Sequence, residues 1–402
     1  MHTQVVTQGR QEPIGGAKRR DHFWDAARAL LMLLGIPYHA ALAYKPGQEW
    51  IVASGEGSPV FVYLAEWIHL FRMPAFFIVA GYFAALLLAR RDADIWLRGR
   101  LLRLGVPLVA AMLILVPPMN LIAELSNLAP DAAVKSWQHN SMTSGGYWVR
   151  HLWFLVVLLY CSVAAAAAVW RWPGLRKVAV PIRVDGWIAR RFPVVLLLVA
   201  ALIGLWEAGA VELFYKSGLA TNLPQQIMRL DELIIYGPYF FLGCLVARAP
   251  RTLEQVTRPS VAVIGLATVA TFASLYGLGS FSPPMGRFVA TIAGLATAQL
   301  LIAAMRRVAD RPIALVQRMV AASFVIYLFH MPIIVMLIWL GQYVAIPVEA
   351  KAAAVMVLGL ALSYGVWLVV ERSPLLSFLF NGIAFKSRLR APHIAPRLST
   401  EG

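Results

Sequence analysis

Long apolar runs recur along the chain with only short polar stretches between them. Windows of about 20 apolar residues, enough for a helix to cross the hydrocarbon core of a bilayer, fall near 26–44, 60–89, 101–119, 151–170, 193–212, 232–248, 260–278, 285–305, 320–344 and 351–370. Runs of this length suit helices that satisfy their own backbone polar groups in lipid. The pattern predicts an all-α fold, a polytopic integral membrane helical bundle of about ten transmembrane helices. The second window is long enough to tilt or to begin as an interfacial helix. An even number of crossings puts both termini on one side. The expected organisation is a tail at 1–24, one membrane domain at 25–380 and a basic tail at 381–402. No inverted repeat of the kind seen in many secondary transporters is visible.

Composition agrees with this reading. Hydrophobic residues are 60% of the 402 and charged residues only 14%, a membrane balance and not a soluble one. A formal charge of +16 would suggest nucleic acid in a soluble protein. Here Lys and Arg gather in alternate loops, with no basic run interleaved with base-stacking aromatics, so no nucleic-acid partner is expected. The loops on the termini's side hold most of the basic residues. The opposite side holds Lys45, Lys135, Arg150, Lys216, Arg229, Arg287 and Lys351. That bias predicts cytoplasmic termini. Residues 1–24 have no apolar core, so the first helix is expected to be its own insertion signal. Cys161 and Cys244 give neither a disulfide framework nor metal-ligand spacing.

Within this apolar background the first window is unusual. Arg28 and His39 are eleven residues apart, which on a helix leaves them ~20° apart in azimuth and ~16 Å apart along the axis. Asp25, Met32 and Gly35 share their stripe. Ionisable groups on one face of a membrane helix are costly unless that face lines a protein-filled or wet interior. Pro37 adds a bend near His39 and frees the carbonyl of Leu33. The second window carries Glu66, His69 and Arg72 at steps of three, with Pro74 and Gly81 loosening the same helix. His151 and Trp153 open the fourth window. Ser323, Tyr327 and His330 share a face of the ninth, with Pro332 just beyond.

Each residue also has a structural reading. Arg28 can snorkel to headgroups, and His69 can be held by Glu66 or Arg72. His151 can anchor at the interface, and His330 can bond a freed carbonyl. Arg98, Arg100 and Arg103 can be ordinary positive-inside residues, and Glu371 a cytoplasmic anchor. The outer tryptophans Trp50, Trp67, Trp137 and Trp148 are belt residues or sugar platforms. There is no Gly-rich phosphate loop, no H-E-x-x-H and no G-x-S-x-G, so neither a metal nor a tightly bound cofactor is expected. Histidine remains, suited to acid–base work near neutral pH, with arginines able to hold anions.

These residues resemble the membrane acyltransferase-3 family. The R-x10-H element is Arg28 to His39. F-R-M-P-A-F-F-I-V-A-G-Y-F (71–83), the R-x-x-R of Arg100 to Arg103, H-L-W-F-L (151–155) and I-Y-L-F-H-M-P-I (326–333) follow in the family's order. R-A-L-L-M-L-L-G-I-P-Y-H (28–39) and W-I-H-L-F-R-M (67–73) are most similar to its branch acting on osmoregulated periplasmic glucans; Pro74 with Ala75 departs from that branch.

The resemblance implies a multi-pass bacterial inner-membrane O-acyltransferase. It would move an acyl group, succinyl in that branch, from cytoplasmic acyl-CoA to hydroxyls of a periplasmic glucan or other envelope glycan. His39 and Arg28 would be catalytic. Asp25, Glu66, His69, Arg72, His151, Trp153, Tyr327 and His330 would support the site, and Arg98, Arg100 and Arg103 would bind the donor. The expected partners are the bilayer, acyl-CoA (succinyl-CoA as co-substrate) and the glycan. The reading also allows a second copy of the chain or glucan-synthesis proteins as partners. Two rival readings stand beside it: a transporter or flippase using buried His and Arg, and a non-catalytic subunit of a glycan assembly machine.

Overall fold

The computed structural model describes residues 22–47, 50–52, 54–219 and 223–383. The basic residues expected in the two tails (Arg10, Lys18, Arg19, Arg20, Lys386, Arg388, Arg390 and Arg397) lie outside them. Among the described residues the regular structure is helical throughout, with no strand. Each of the ten predicted windows coincides with a helix. These are α1 (His22–Ala43), α2 (Pro59–Leu88), α3 (Ala93–Leu125), α4 (Gly146–Arg171), α5 (Phe192–Lys216), α6 (Leu230–Val246), α7 (Val261–Tyr276), α8 (Pro283–Ala309), α9 (Ala314–Gly341) and α10 (Val348–Arg372).

Eight of the ten are long and apolar enough to cross a membrane. The two exceptions are the short helices α6 and α7. The segment Pro224–Val246 turns through 118° into Pro250–Val256, and α7 has only 16 residues. The protein is a polytopic all-α membrane bundle.

The post of the bundle is α2, whose most apolar window is 83% buried within the protein. It packs against α6, α8 and α1. Its helix continues through Pro74 and Gly81. Gly81 is a close-approach position: a Cβ there would run into the Phe240 carbonyl of α6, and a Cβ on Gly243 of α6 would strike the Ile78 carbonyl. Small residues at both sites bring the two backbones together, as membrane helix pairs require in the absence of a hydrophobic drive between them. The predicted bend in α1 is a turn at Leu34, one residue from Leu33, set by the missing Pro37 N–H. α3 carries a π-helical turn at Leu101–Gly105, and α5 another at Glu207–Val211.

Outside the long helices, the amphipathic segment Ile182–Arg190 is tied to the bundle by Asp185. Its carboxylate accepts the backbone N–H groups of Arg251 and Thr252, each at 2.9 Å, and the Thr252 hydroxyl at 2.7 Å. It thus satisfies donors at the start of Pro250–Val256 that the helix cannot satisfy itself. Burial alone would raise this carboxyl. The hydrogen bonds outweigh it and hold Asp185 below the ordinary carboxylate range.

Candidate active site

The stripe on α1 faces inward along its whole length. Arg28 and Met32 line a cavity of about 490 Å³, with Phe76, Phe154, Arg100 and Arg103 among its other walls. Met32, Phe76 and Phe154 are also walls of a much smaller chamber of about 30 Å³, where they meet His39, Arg72, His151, Trp153 and Tyr327. One residue set therefore separates a basic vestibule from a chamber of imidazoles. Beyond the chamber, the His39 ring stacks on Trp50, with centroids 6.1 Å apart. Trp50 lines an open cleft of about 560 Å³ with Glu124, Asn140, Tyr147 and Arg150. Vestibule, chamber and cleft follow one another along the rise of α1.

The bend and the glycine on α1 make the chamber possible. A Cβ on Gly35 would lie 3.0 Å from Arg72 Nη1 and 3.1 Å from His330 Nε2, so the missing side chain is the space those two groups share. The His330 ring sits 5.4 Å from His39 and 5.6 Å from His151, centroid to centroid. His330 Nδ1 bonds the Tyr327 carbonyl at 2.6 Å, and His151 Nε2 bonds the Leu328 carbonyl at 3.3 Å. A carbonyl can only accept, so those nitrogens donate, and His330 Nε2 and His151 Nδ1 are turned elsewhere. The Tyr327 hydroxyl donates to the His151 carbonyl at 2.7 Å, locking helices α9 and α4 together at this level.

Seven buried side-chain polar atoms have no hydrogen-bond partner among the described residues. Four of them are His39 Nδ1, Arg72 Nε, His151 Nδ1 and His330 Nε2. Buried polar groups are ordinarily satisfied, and a cluster of exceptions calls for an explanation. Arg72 forms no ion pair with a carboxylate in this set. Its guanidinium lies over the Tyr38 ring, 4.5 Å from the centroid. The chamber, with the His330 ring beside it, thus gathers one cation and three imidazoles with open hydrogen-bonding valences, inside the membrane.

Not every residue marked from the sequence is drawn in. Arg28 pairs with Asp25 at 3.7 Å on the vestibule side, so Asp25 serves the vestibule. Glu66 pairs with Lys45 at 2.8 Å, and the partner of His69 is Tyr38, whose hydroxyl lies 3.3 Å from His69 Nδ1. His69 stands on the flank of the site, and both it and Arg72 meet the Tyr38 ring. Trp153 lines the chamber and stacks on Tyr236, centroids 5.3 Å apart. Arg100 and Arg103, astride the π-helical turn, reach the vestibule, whereas Arg98 is exposed and does not.

Glu371 lies in the vestibule wall together with Asn381 and Ser377. The last helix therefore ends at the cavity where the first begins. The cleft residues Glu124, Asn140, Tyr147 and Arg150 carry no functional motif in the sequence. Only the outer position and aromatic character of the 120–150 loop hinted at them. No three or more His, Cys, Asp or Glu among the described residues are grouped to hold a metal ion.

Comparison with known proteins identifies the family. The acyltransferase-3 family profile, described as an acyltransferase domain, matches residues 21–372. Glucans biosynthesis protein C of Escherichia coli strain K12 is 29% identical over 383 residues, covering 90% of this chain and 95% of the relative. Glucans biosynthesis protein C of Salmonella gallinarum is 28% identical over 376 residues with the same coverage. No solved structure matches the chain. With a profile spanning Arg28 to α10 and the inward-facing stripe on its first helix, the chain belongs to the acyltransferase-3 family and is a multi-pass membrane acyltransferase.

Proposed function

We propose that this acyltransferase takes an acyl group from acyl-CoA on the cytoplasmic side of a bacterial inner membrane and esterifies a hydroxyl of a periplasmic glucan. The observation that carries the reading is the in-line series of vestibule, chamber and cleft, with His39 on the chamber wall nearest the cleft. Positive-inside bias supports a cytoplasmic vestibule. There Arg28, Arg100 and Arg103 would hold the phosphates of the donor, since Arg pairs well with phosphate oxygens. The name of these relatives, glucans biosynthesis protein C, supports a glucan as acceptor. Family membership favours transfer over the transporter and subunit readings.

In this scheme the thioester enters between Met32, Phe76 and Phe154 and its carbonyl lodges beside Arg72. A sugar hydroxyl arrives from the cleft side. His39 takes the hydroxyl proton as the oxygen attacks the carbonyl carbon. The C–S bond breaks, the C–O ester bond remains, and the proton passes from His39 to the departing CoA thiolate. Arg72 would stabilise the oxyanion between these events. If the group is succinyl, its free carboxylate is a second anion that Arg72 or His330 could receive. His39 could instead carry the acyl group transiently; a labelled donor given without glucan separates the two, because only the second route leaves label on the chain.

The test is glucan acylation by the purified protein in vesicles, with labelled succinyl-CoA on the vestibule side. His39→Ala is expected to lower transfer by about 10²-fold or more while membrane insertion and helical circular dichroism persist. Wild-type-like transfer by that variant would remove His39 from the mechanism.

A further inference from the structure

The cleft beyond His39 is not used by the scheme above except as a doorway, yet its wall is built in detail. Glu124 Oε1 accepts the Tyr147 hydroxyl at 2.8 Å and the Asn140 amide at 2.9 Å. Both bonds fall on one oxygen, and the Ser136 side chain also hydrogen-bonds the carboxylate. Arg150 Nε donates to Asn120 Oδ1 at 2.8 Å, and its guanidinium lies over the Tyr147 ring, 4.6 Å from the centroid. Asn120 in turn donates to the Tyr147 carbonyl at 2.7 Å. Arg150 has φ 43°, a left-handed conformation uncommon outside glycine. Its backbone turns the Arg150 side chain to the cleft while His151, the next residue, lines the chamber.

We infer that this cleft is the acceptor subsite, holding one sugar unit of the glucan against Trp50 with Glu124, Asn140 and Arg150 on its hydroxyls. The inference rests on the acyl-transfer reading above and adds to it where the sugar sits and what orients it. Three features select a carbohydrate. An aromatic ring edges the cleft, and such a ring covers the apolar face of a pyranose while leaving its rim hydroxyls free for polar groups. Planar carboxylate, amide and guanidinium groups stand together there, the kind of few convergent polar groups that fix a ligand's orientation. One acid and one base balance each other, which suits a neutral polyhydroxylated ligand better than an anionic headgroup. The Trp50 ring also lies 6.1 Å from that of His39, centroid to centroid, so a sugar held against Trp50 would sit near the imidazole. Trp137 and Trp148 are used otherwise, their indole N–H groups donating to the carbonyls of Pro117 and Ser141.

The experiment measures the acceptor KM of the full chain in lipid nanodiscs, with succinyl-CoA saturating and laminarihexaose and maltohexaose as soluble glucan probes. KM does not depend on how much of a variant folds. Trp50→Ala and Asn140→Ala are expected to raise the acceptor KM at least tenfold and at least threefold. Trp50→Phe, which keeps a stacking face, should stay within about threefold of wild type. The donor KM should move less than twofold in all three. Asn140 has no contact with the chamber, so its variant decides the matter should Trp50→Ala prove inactive.

If wild-type protein acylates the glucan and Asn140→Ala and Trp50→Ala leave the acceptor KM unchanged, the cleft is not the subsite. If Trp50→Phe is as impaired as Trp50→Ala, stacking is not the interaction. If wild-type protein consumes succinyl-CoA but acylates neither probe, the acyl-transfer reading to glucan fails first, and the subsite falls with it.

Discussion

Two polar knots lie within the helical bundle, and they are built on opposite plans. In one, Glu207 at the start of the π-helical turn of α5 receives the Tyr239 hydroxyl at 2.9 Å on one oxygen and the Thr291 hydroxyl at 2.9 Å on the other. Its two oxygens each have a partner, and none of the atoms in that knot is among the buried polar atoms without one. In the other, His39, Arg72, His151 and His330 keep four open valences around a small chamber. Both knots pay for removing polar groups from water, and only the first recovers that cost within the chain. Under the proposed mechanism the difference separates structure from chemistry: the knot satisfied at home holds helices together, and the open valences of the chamber would receive the substrate.

The sharpest way to break this contrast is to remove the cation. Arg72→Ala is expected to lower acyl transfer by about 10²-fold or more, with only a small fall in melting temperature, because among the described residues the guanidinium has no acidic partner and meets the Tyr38 ring. A large loss of thermal stability with transfer intact would show that Arg72 belongs with the structural knot.

Gly35→Ala tests the geometry without touching a charge. The added methyl intrudes where Arg72 and His330 converge, and a misplaced group near the reacting atoms is expected to cost about tenfold in kcat. Helix propensity alone would favour Ala over Gly by about 1 kcal/mol. Lower turnover at equal or greater thermal stability is therefore the signature, and unaltered turnover would refute the crowding.

Glu207→Ala is the converse. It strands the buried Tyr239 hydroxyl, while Thr291 keeps the Arg287 carbonyl at 2.9 Å, and is expected to destabilise the fold by about 1–3 kcal/mol, read as a lower melting temperature in detergent. Turnover per folded molecule should hold, and a selective loss of turnover would place Glu207 in the catalytic path.

The smallest effect belongs to Asp185 at the periphery. Its carboxyl is depressed in the folded protein by its hydrogen bonds. The stability it adds is therefore complete above the ordinary carboxylate pKa near about 4 and is lost as pH falls through the depressed native value. Asp185→Asn should lower stability at neutral pH by about 1 kcal/mol and flatten the acid limb of the melting-temperature profile. An identical acid limb in both proteins would show that the carboxylate does no such capping.

The sequence alone determined what is local. Apolar length marked all ten helices, because crossing a bilayer is a property of one segment and its own backbone bonds. The Arg28–His39 stripe was legible because azimuth on a helix follows from spacing. The short α6 and α7, the Glu66–Lys45 pair, the Tyr38–His69 contact and the place of Glu371 in the vestibule were not legible. Each depends on which helix stands beside which. Side chains from α1, α2, α4 and α9 became one chamber only through the close approach of helices, at Gly35 and at the Gly81–Gly243 crossing. Likewise the cleft residues Glu124, Asn140, Tyr147 and Arg150 look like ordinary loop-side polarity along the chain. Tertiary packing decided that they share one wall, because a binding surface is a relation between segments and no single segment encodes it.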